Sequence, residues 1–212
     1  MTSTFDSIIF DMDGTLWDAV DSYCEIWNTT FSQMGKNQIV NRQELLECMG
    51  MPINEIFQKI VKVDVDEKQY LKLLDKNERE MMPVIGGELY NGVFEGIKLL
   101  STQYKLYMVS NCGAEGLNNF LTFTQLSPYI SGTLTYGETL LGKAENIKLL
   151  ISQHNLQNAI YVGDTQGDCN AAHKVGIPMV FAKYGFGNCE DAEYEIESFP
   201  HLLDLFYKKC YK

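Results

Sequence analysis

The sequence predicts an α/β fold, with a Rossmann-like three-layer α/β/α core around a parallel sheet and a small helical domain inserted after the first strand. Two observations predict it. Short apolar runs with little polar alternation recur along the chain, as in strands that are buried on both faces. Segments with helical periodicity separate these runs, and such alternation is typical of parallel sheets covered by helices.

Five apolar runs are predicted strands. They are rich in β-branched and aromatic residues, and three of them end directly in polar residues. The predicted strands are 5–10, 106–109, 130–135 (the weakest), 159–162 and 178–181. Apolar residues at helical spacing predict core helices over 92–102, 144–154 and 168–174.

The segment 16–82 differs from the rest because its patterns are helical throughout. Helices are predicted over 20–34, 42–49, 53–61 and 66–82, and Pro83 marks the return to the core. We expect a catalytic core formed by 1–15 and 83–212, with 16–82 as a helical cap over the sheet. The alternative is that these helices simply cover one sheet face.

The charge of the chain excludes some partners. Its net charge is -11 and its pI about 4.7, so nucleic acids and anionic membranes are not expected to bind. No apolar run approaches the ~20 residues of a membrane span. The first ten residues lack the basic start and long apolar stretch of a secretory signal. These features predict a cytoplasmic protein, and nothing in the sequence requires more than a monomer.

The six cysteines and three histidines give no motif. No two cysteines form a CxxC pair, and the histidines lack metal-ligand spacing. We expect most cysteines to act as small buried apolar groups in a reducing compartment. The histidines are interpreted as scattered structural or surface residues.

Reactive residues follow three of the predicted strands. The first strand ends in Asp11 and Asp13, a second ends in Ser110, and a third is followed by Asp164 and then Asp168. The carboxyl ends of parallel strands lie at one edge of a sheet, where ligands bind. We therefore expect these side chains to converge.

Such convergence would bring several carboxylates together. They would repel one another and raise one another's pKa, which a divalent cation would relieve. Carboxylate oxygens suit Mg²⁺, which keeps further positions for phosphate and water. Solvated acids in turns are the alternative. One Asp-Gly pair would fit that alternative, but three polar strand ends favour a metal site.

Other residues near these strand ends suit an anion. Gly14 permits close backbone approach, Thr15 can hold the loop, and Ser110 and Asn111 offer a hydroxyl and an amide. Lys143 begins a predicted helix, where it could neutralise a phosphate or be an ordinary exposed lysine.

Together these motifs resemble the haloacid dehalogenase-like hydrolase superfamily. The match consists of DxDGT at 11–15, Ser110-Asn111, Lys143 and GDxxxD at 163–168, in the family's order. Further segments, among them 92–96 and 184–187, resemble its phosphoglycolate phosphatase-like branch. Asn91 and Ala144 stand where proline is common in that branch.

The resemblance implies a Mg²⁺-dependent phosphatase acting through an aspartyl-phosphate. Asp11 would be the nucleophile, and Asp13 would protonate the leaving oxygen and then activate water. The side chain of Asp11, the backbone carbonyl of Asp13, and Asp164 would hold Mg²⁺. Asp168 would support the metal shell or orient Lys143. The phosphate would be held by Gly14, Thr15, Ser110, Asn111 and Lys143.

The partner implied is a small phosphorylated metabolite: phosphoglycolate, a sugar phosphate, a nucleotide or pyrophosphate. The turn 48–52 and Arg42 are expected to set the choice, although the turn could be an ordinary helix connection. A phosphomutase of the β-phosphoglucomutase type is the main alternative, but relatives of that type carry a histidine early in the cap and 16–82 has none. Dehalogenases and phosphonate hydrolases would have no use for Asp13. A non-catalytic phosphate-binding protein remains a further alternative.

Overall fold

The computed structural model describes residues 5–207 and contains a central parallel sheet. In chain order the strands are β1 (Ser7–Phe10), β2 (Trp17–Asp18), β3 (Glu88–Leu89), β4 (Lys105–Ser110), β5 (Gly132–Thr135), β6 (Ala159–Gly163), β7 (Met179–Ala182) and β8 (Tyr194–Ile196). Six of them form the sheet in the order β5-β4-β1-β6-β7-β8, all parallel, while β2 and β3 form a separate antiparallel pair. The predicted α/β fold class is confirmed, and all five predicted strands are present.

Ten α-helices and one short 3-10 helix connect the strands in the described chain. They are α1 (Val20–Gln33), α2 (Arg42–Leu46), α3 (Ile53–Ile60), α4 (Glu67–Ile85), α5 (Val93–Leu100), α6 (Gly116–Thr124), the 3-10 helix (Ser127–Tyr129), α7 (Tyr136–Thr139), α8 (Lys143–His154), α9 (Gln166–Val175) and α10 (Phe199–Tyr207). The three predicted core helices and the four predicted helices of 16–82 are all present.

Helix α4 corrects one predicted boundary. Pro83 was expected to end the helical segment, but α4 continues through it to Ile85. Proline lacks the amide that would bond the carbonyl of Arg79. Both residues are exposed, so that carbonyl can bond water instead, and the helix continues for less than one further turn.

Strand β1 lies in the middle of the sheet and separates two apolar layers. Ile8 and Phe10 belong to one buried cluster and Ile9 to the other, as alternation along a strand requires. Phe10 pairs with Met108 on one side and Val162 on the other. The three strands therefore end level with one another, which places the residues that follow them at one edge.

The helical segment has an aromatic core of its own. The Tyr70 ring on α4 packs against Trp27 and Phe31 on α1 and Phe57 on α3, with ring centroids 5.5, 4.8 and 5.4 Å apart. The buried Asn77 amide donates to Thr30 Oγ1 at 2.8 Å. These contacts bind α1, α3 and α4 to one another. That 16–82 acts as a separate cap domain stays a prediction.

The chain leaves the sheet through β2 and returns to it through β3, and these two strands pair with each other. Trp17 of β2 pairs with Leu89 of β3, and Asp18 pairs with Glu88. Within residues 5–207, no helix is both long enough and apolar enough to cross a membrane.

Candidate active site

Asp11 is the first residue beyond β1 and is almost completely buried. Its amide donates to the carbonyl of Val162 at 2.9 Å, which continues the parallel pairing past the last residue of the strand. The side chain is 5% exposed. The Asp11 carboxylate therefore lies at the carboxyl edge of the sheet, directly after the central strand, as the sequence predicted.

Asp13 is held beside Asp11 by two aromatic side chains that the sequence did not indicate. The indole Nε1 of Trp17 donates to Asp13 Oδ1 at 2.9 Å, and the Tyr23 hydroxyl donates to Oδ2 at 3.4 Å. The chain turns tightly here, since the Gly14 amide donates to the Trp17 carbonyl at 2.9 Å. This turn fixes the orientation of the Asp13 carboxyl group.

Lys143 begins α8 and reaches the same point. Its Nζ lies 3.0 Å from Asp11 Oδ1 and donates to Asp168 Oδ1 at 2.5 Å. The side chain is buried with both partners, so the predicted alternative of an exposed lysine does not describe it. A buried cation therefore faces the candidate nucleophile.

Asp168 has both carboxylate oxygens occupied. Oδ1 accepts from Lys143, and Oδ2 accepts from the amides of Asp164 and Thr165 and from the Thr165 hydroxyl at 3.2, 3.0 and 2.7 Å. These bonds include a capping box at the start of α9. Asp168 thus positions Lys143 and the loop that carries Asp164.

Asp164 is completely buried next to Asp11. Its Oδ1 accepts from the Thr15 hydroxyl at 3.2 Å and its Oδ2 from the Phe186 amide at 2.8 Å. Gly14 has a positive φ of 77°, and a Cβ there would lie 2.1 Å from Asp164 Oδ2. Only glycine allows this approach.

The acidic groups repel one another strongly. Burial raises the pKa of Asp11 to about 6, with Asp168 adding to the rise and Lys143 opposing it. Burial, together with the charge of Asp11, raises the pKa of Asp13 to about 8. The pKa of Asp164 is raised by burial and by Asp168 and Asp11. For Lys143, burial alone would lower the pKa, but Asp11 and Asp168 raise it well above its ordinary value.

These carboxylates fit a divalent cation. Oxygens of Asp11, Asp164 and Asp168 lie within 4.8 Å of one another. Asp11 Oδ1 is buried and accepts no hydrogen bond of normal geometry from the described residues, although Lys143 is near. A buried carboxylate oxygen without a donor is costly. Oxygen donors of this kind suit a hard ion such as Mg²⁺.

A cavity of about 260 Å³ opens beside Asp11, between the sheet edge and the helical segment. The polar groups at its base are those of Asp11, Asp13, Ser110, Asn111 and Lys143. The helical segment contributes a largely apolar wall and two acids: Trp17, Tyr23, Trp27, Leu45, Met49, Gly50, Met51, Ile53, Ile56, Leu71, Leu74, Asp75, Glu78 and Met82. The structure therefore brings together most of the predicted site residues in one cavity.

Asn111 joins the two sides of the cavity. Its Nδ2 donates to the Gly50 carbonyl at 2.7 Å, while its buried Oδ1 has no partner among the described residues. The turn predicted to set specificity, 48–52, contributes Met49, Gly50 and Met51 to the wall.

Three sequence-based predictions find no support at the cavity wall. Gly14 and Thr15 do not line it; Gly14 bonds the Trp17 carbonyl and Thr15 bonds Asp164. Arg42 is also absent from the wall, because its guanidinium group pairs with Asp18 and Asp21. The sequence in turn gave no signal for Glu78, which reaches the cavity only through the packing of α4.

Comparison with known proteins agrees with this architecture. The sequence profile of the haloacid dehalogenase-like hydrolases matches residues 8–182. A phosphoglycolate phosphatase of Aquifex aeolicus is 27% identical over 184 residues, which are 84% of this chain and 85% of the relative. A pyrophosphatase PpaX of Listeria monocytogenes is 25% identical over 178 residues, 81% and 80% of the two chains. A solved hydrolase of the haloacid dehalogenase-like family from Streptococcus pneumoniae superposes with a TM-score of 0.83 at 21% identity, covering 97% of this chain and 100% of the other.

Proposed function

The chain belongs to the haloacid dehalogenase-like hydrolase family, and from that premise we propose that it is a Mg²⁺-dependent phosphatase of small phosphomonoesters. One observation carries the proposal. Asp11 and Asp13 line the same cavity, and the buried Lys143 ammonium lies 3.0 Å from Asp11. A nucleophile, a proton donor and a cation for phosphate are thus available to one substrate.

In the proposed reaction the Asp11 carboxylate attacks the phosphorus atom. The P–O bond to the leaving group breaks as Asp13, protonated because of its raised pKa, gives its proton to the departing oxygen. Asp13 then takes a proton from water, which attacks the aspartyl-phosphate and releases inorganic phosphate. Trp17 and Tyr23 keep the Asp13 carboxyl group oriented through both steps.

Asp11, the Asp13 carbonyl and Asp164 would hold Mg²⁺, which when bound neutralises charge on the phosphoryl oxygens. Lys143, Ser110 and Asn111 would bind the phosphate from the other side. We assign Gly14 and Thr15 to the support of Asp164, since both lie against that side chain.

The cavity favours a leaving group without a negative charge. Lys143 is the only lysine or arginine on the wall within residues 5–207, and Asp11 and Asp168 already surround it. Glu78 and Asp75 of α4 also line the cavity, and the Asp75 carboxylate is paired with Arg79 at 2.8 Å. A carboxylate or second phosphate beside Glu78 would be repelled by its charge, so we propose an uncharged or cationic leaving group, such as the hydroxylated part of a sugar phosphate.

We further propose that 16–82 works as a cap, with hinges near 16–17 and 83–87, in a cytoplasmic monomer. Closure would exclude bulk water from the cavity while Asp11 attacks the phosphorus atom, and the Asn111–Gly50 hydrogen bond would form as the cap closes. Slower amide exchange at 83–87 with a bound phosphate analogue would support the hinges, and identical exchange with and without it would contradict them.

The function is tested by phosphate release from a panel of small esters, with Mg²⁺ and with chelator. Wild type is compared with Asp11→Asn and with Asp21→Asn, which removes an exposed carboxylate outside the cavity. Turnover that needs Mg²⁺ and Asp11 but not Asp21 is expected. If the folded wild type released no phosphate from any ester, the proposal would be wrong, and isomerisation of a sugar phosphate would then identify a mutase.

A further inference from the structure

A second group of metal-binding side chains lies outside the cavity, where α9 meets the loop between β7 and β8. Cys169 and His173 are four residues apart on α9 and so lie on the same face. Cys189 and Asp191 come from the loop. None of these four residues lines the candidate active site.

Ligand atoms of Cys169, Cys189 and Asp191 lie within 4.8 Å of one another, and His173 lies beside this group, next to Cys169 and Asp191. Cys169 Sγ lies 3.3 Å from Asp191 Oδ1 and 3.8 Å from both ring nitrogens of His173. Cys189 Sγ lies 3.8 Å from Asp191 Oδ1, and His173 Nδ1 lies 3.5 Å from Asp191 Oδ2. Zinc bonds of about 2.3 Å to sulfur and about 2.0–2.2 Å to nitrogen or oxygen place tetrahedral ligand atoms about 3.3–3.8 Å apart.

The surroundings of the cluster also suit a metal. Cys169 and Cys189 are buried, while the His173 and Asp191 side chains are 32% and 57% exposed and leave a path for an ion. Glu193 Oε1 lies 3.1 Å from His173 Nε2, on the ring nitrogen away from Asp191. A carboxylate at that nitrogen is the usual support of a metal-bound histidine.

We propose that Cys169, His173, Cys189 and Asp191 form a binding site for one Zn²⁺ ion. Two sulfurs, one imidazole nitrogen and one carboxylate oxygen are a ligand set for zinc rather than for Mg²⁺. Binding releases the two thiol protons to solvent and leaves a thiolate pair, a neutral imidazole and a carboxylate around the ion.

The site would stabilise the loop next to the catalytic acids. That loop also carries Phe186, whose amide donates to Asp164, and α9 contains Asp168 in its first turn. A metal bound by Cys169 and Cys189 would join these two elements. It would thus act on the position of Asp164 without touching the substrate.

Cobalt(II) is the probe, because thiolate ligands give it charge-transfer absorption that carboxylates do not. Metal-free, reduced full-length protein is saturated with Mg²⁺ and titrated with Co²⁺. We expect one equivalent to give thiolate charge-transfer and tetrahedral d–d bands, and Zn²⁺ to remove them. Cys189→Ser and Asp191→Asn should abolish or weaken the bands, and Glu193→Gln should weaken binding about tenfold. Cys24→Ser, at a buried cysteine on α1, should leave them unchanged.

Two results would overturn the proposal. One is a wild-type protein with reduced cysteines that shows no thiolate band with Co²⁺. The other is a disulfide-linked peptide containing Cys169 and Cys189 in a non-reduced digest of freshly purified protein, since the two sulfurs would then be bonded to each other. Asp191 lies at the surface, so its variant folds even where a cysteine variant does not.

Discussion

Lys143 and Asp168 form an ion pair that is buried on both sides, and this pair holds the ammonium nitrogen 3.0 Å from Asp11. Asp168 is itself fixed by three hydrogen bonds from Asp164 and Thr165. The position of the cation at the candidate nucleophile therefore depends on the loop after β6 as well as on α8.

Lys143→Met is expected to destabilise the protein in a pH-dependent way. Without its cation, the cluster of Asp11, Asp164 and Asp168 can fold only if carboxylates take up protons, so the loss should be about 3 kcal/mol at pH 8 and smaller at pH 5. Urea unfolding with chelator at both pH values measures it. Lys148→Met, at an exposed lysine on the same helix, should match wild type. An equal loss at both pH values would show that lost packing, not charge, is responsible.

Asp13→Asn should change how stability depends on pH. The pKa of Asp13 is about 8 in the folded protein and 3.8 in a model peptide. Folded Asp13 thus binds a proton that the unfolded chain releases, and stability falls as pH rises from about 4 to 8. Relative to Asp13→Asn, wild type should lose roughly 5 kcal/mol over this range.

The measurement is urea unfolding of both proteins in chelator from pH 4 to 8. Asp21→Asn removes an exposed carboxylate nearby and should give a curve parallel to that of wild type. A constant difference between wild type and Asp13→Asn across the range would contradict the raised pKa.

The core of the fold follows from local sequence, because strands buried on both faces are continuous apolar runs. Strand β8 was not predicted because it is not buried on both faces: Tyr194 and Glu195 are exposed, so the sequence has no apolar run there. Helix α6 was also missed: Asn118, Asn119 and Thr122 are weak helix formers. Its conformation depends on packing against α4 and the sheet.

The positions of the candidate catalytic acids were predictable because they directly follow strands, whereas the groups that the helical segment contributes to the cavity were not predictable. Asp11 and Asp164 follow apolar strands directly. Glu78 and Tyr23 reach the cavity only because α4 and α1 pack together over the sheet edge, and no local pattern encodes that packing. The proximity of Cys169 and Cys189 was not predictable either, because the two residues are twenty positions apart in sequence, with β7 between them.

Glu78 is expected to select against anionic leaving groups. Three esters with two-carbon leaving groups test this: 2-hydroxyethyl phosphate, 2-aminoethyl phosphate and 2-phosphoglycolate differ there mainly in charge. Burial and the charge of Asp75 raise the pKa of Glu78 to about 7, so it is ionised at pH 8. At pH 8, kcat/KM should be at least about tenfold lower for phosphoglycolate than for the hydroxyethyl ester, a difference of about 1.4 kcal/mol.

Glu78→Gln should reduce the difference in kcat/KM between phosphoglycolate and the hydroxyethyl ester. A shift of the wild type to pH 6, where Glu78 is protonated, should reduce it as well. Glu80→Gln, on the exposed side of α4, should leave it unchanged. The proposed leaving-group preference would be wrong if phosphoglycolate were the best ester. It would also be wrong if Glu78→Gln left the ratio of the two kcat/KM values unchanged. The phosphatase function itself would still stand, because all three esters report it.

Gly14 and Gly35 provide a matched test of the close approach at Asp164. Both have a positive φ, 77° and 68°, so alanine at either position carries the same backbone cost of about 1 kcal/mol. A Cβ at Gly35 meets nothing within 4 Å, but at Gly14 it would lie 2.1 Å from Asp164 Oδ2 and 2.8 Å from the Phe186 ring. Gly14→Ala should therefore lose clearly more stability than Gly35→Ala, and only Gly14→Ala should raise the Mg²⁺ concentration needed for half-maximal turnover.

Urea unfolding and a Mg²⁺ titration of activity measure the two effects. Equal losses in both variants would mean that the loop moves away from Asp164 at little cost, and that the acid does not depend on Gly14 for its position.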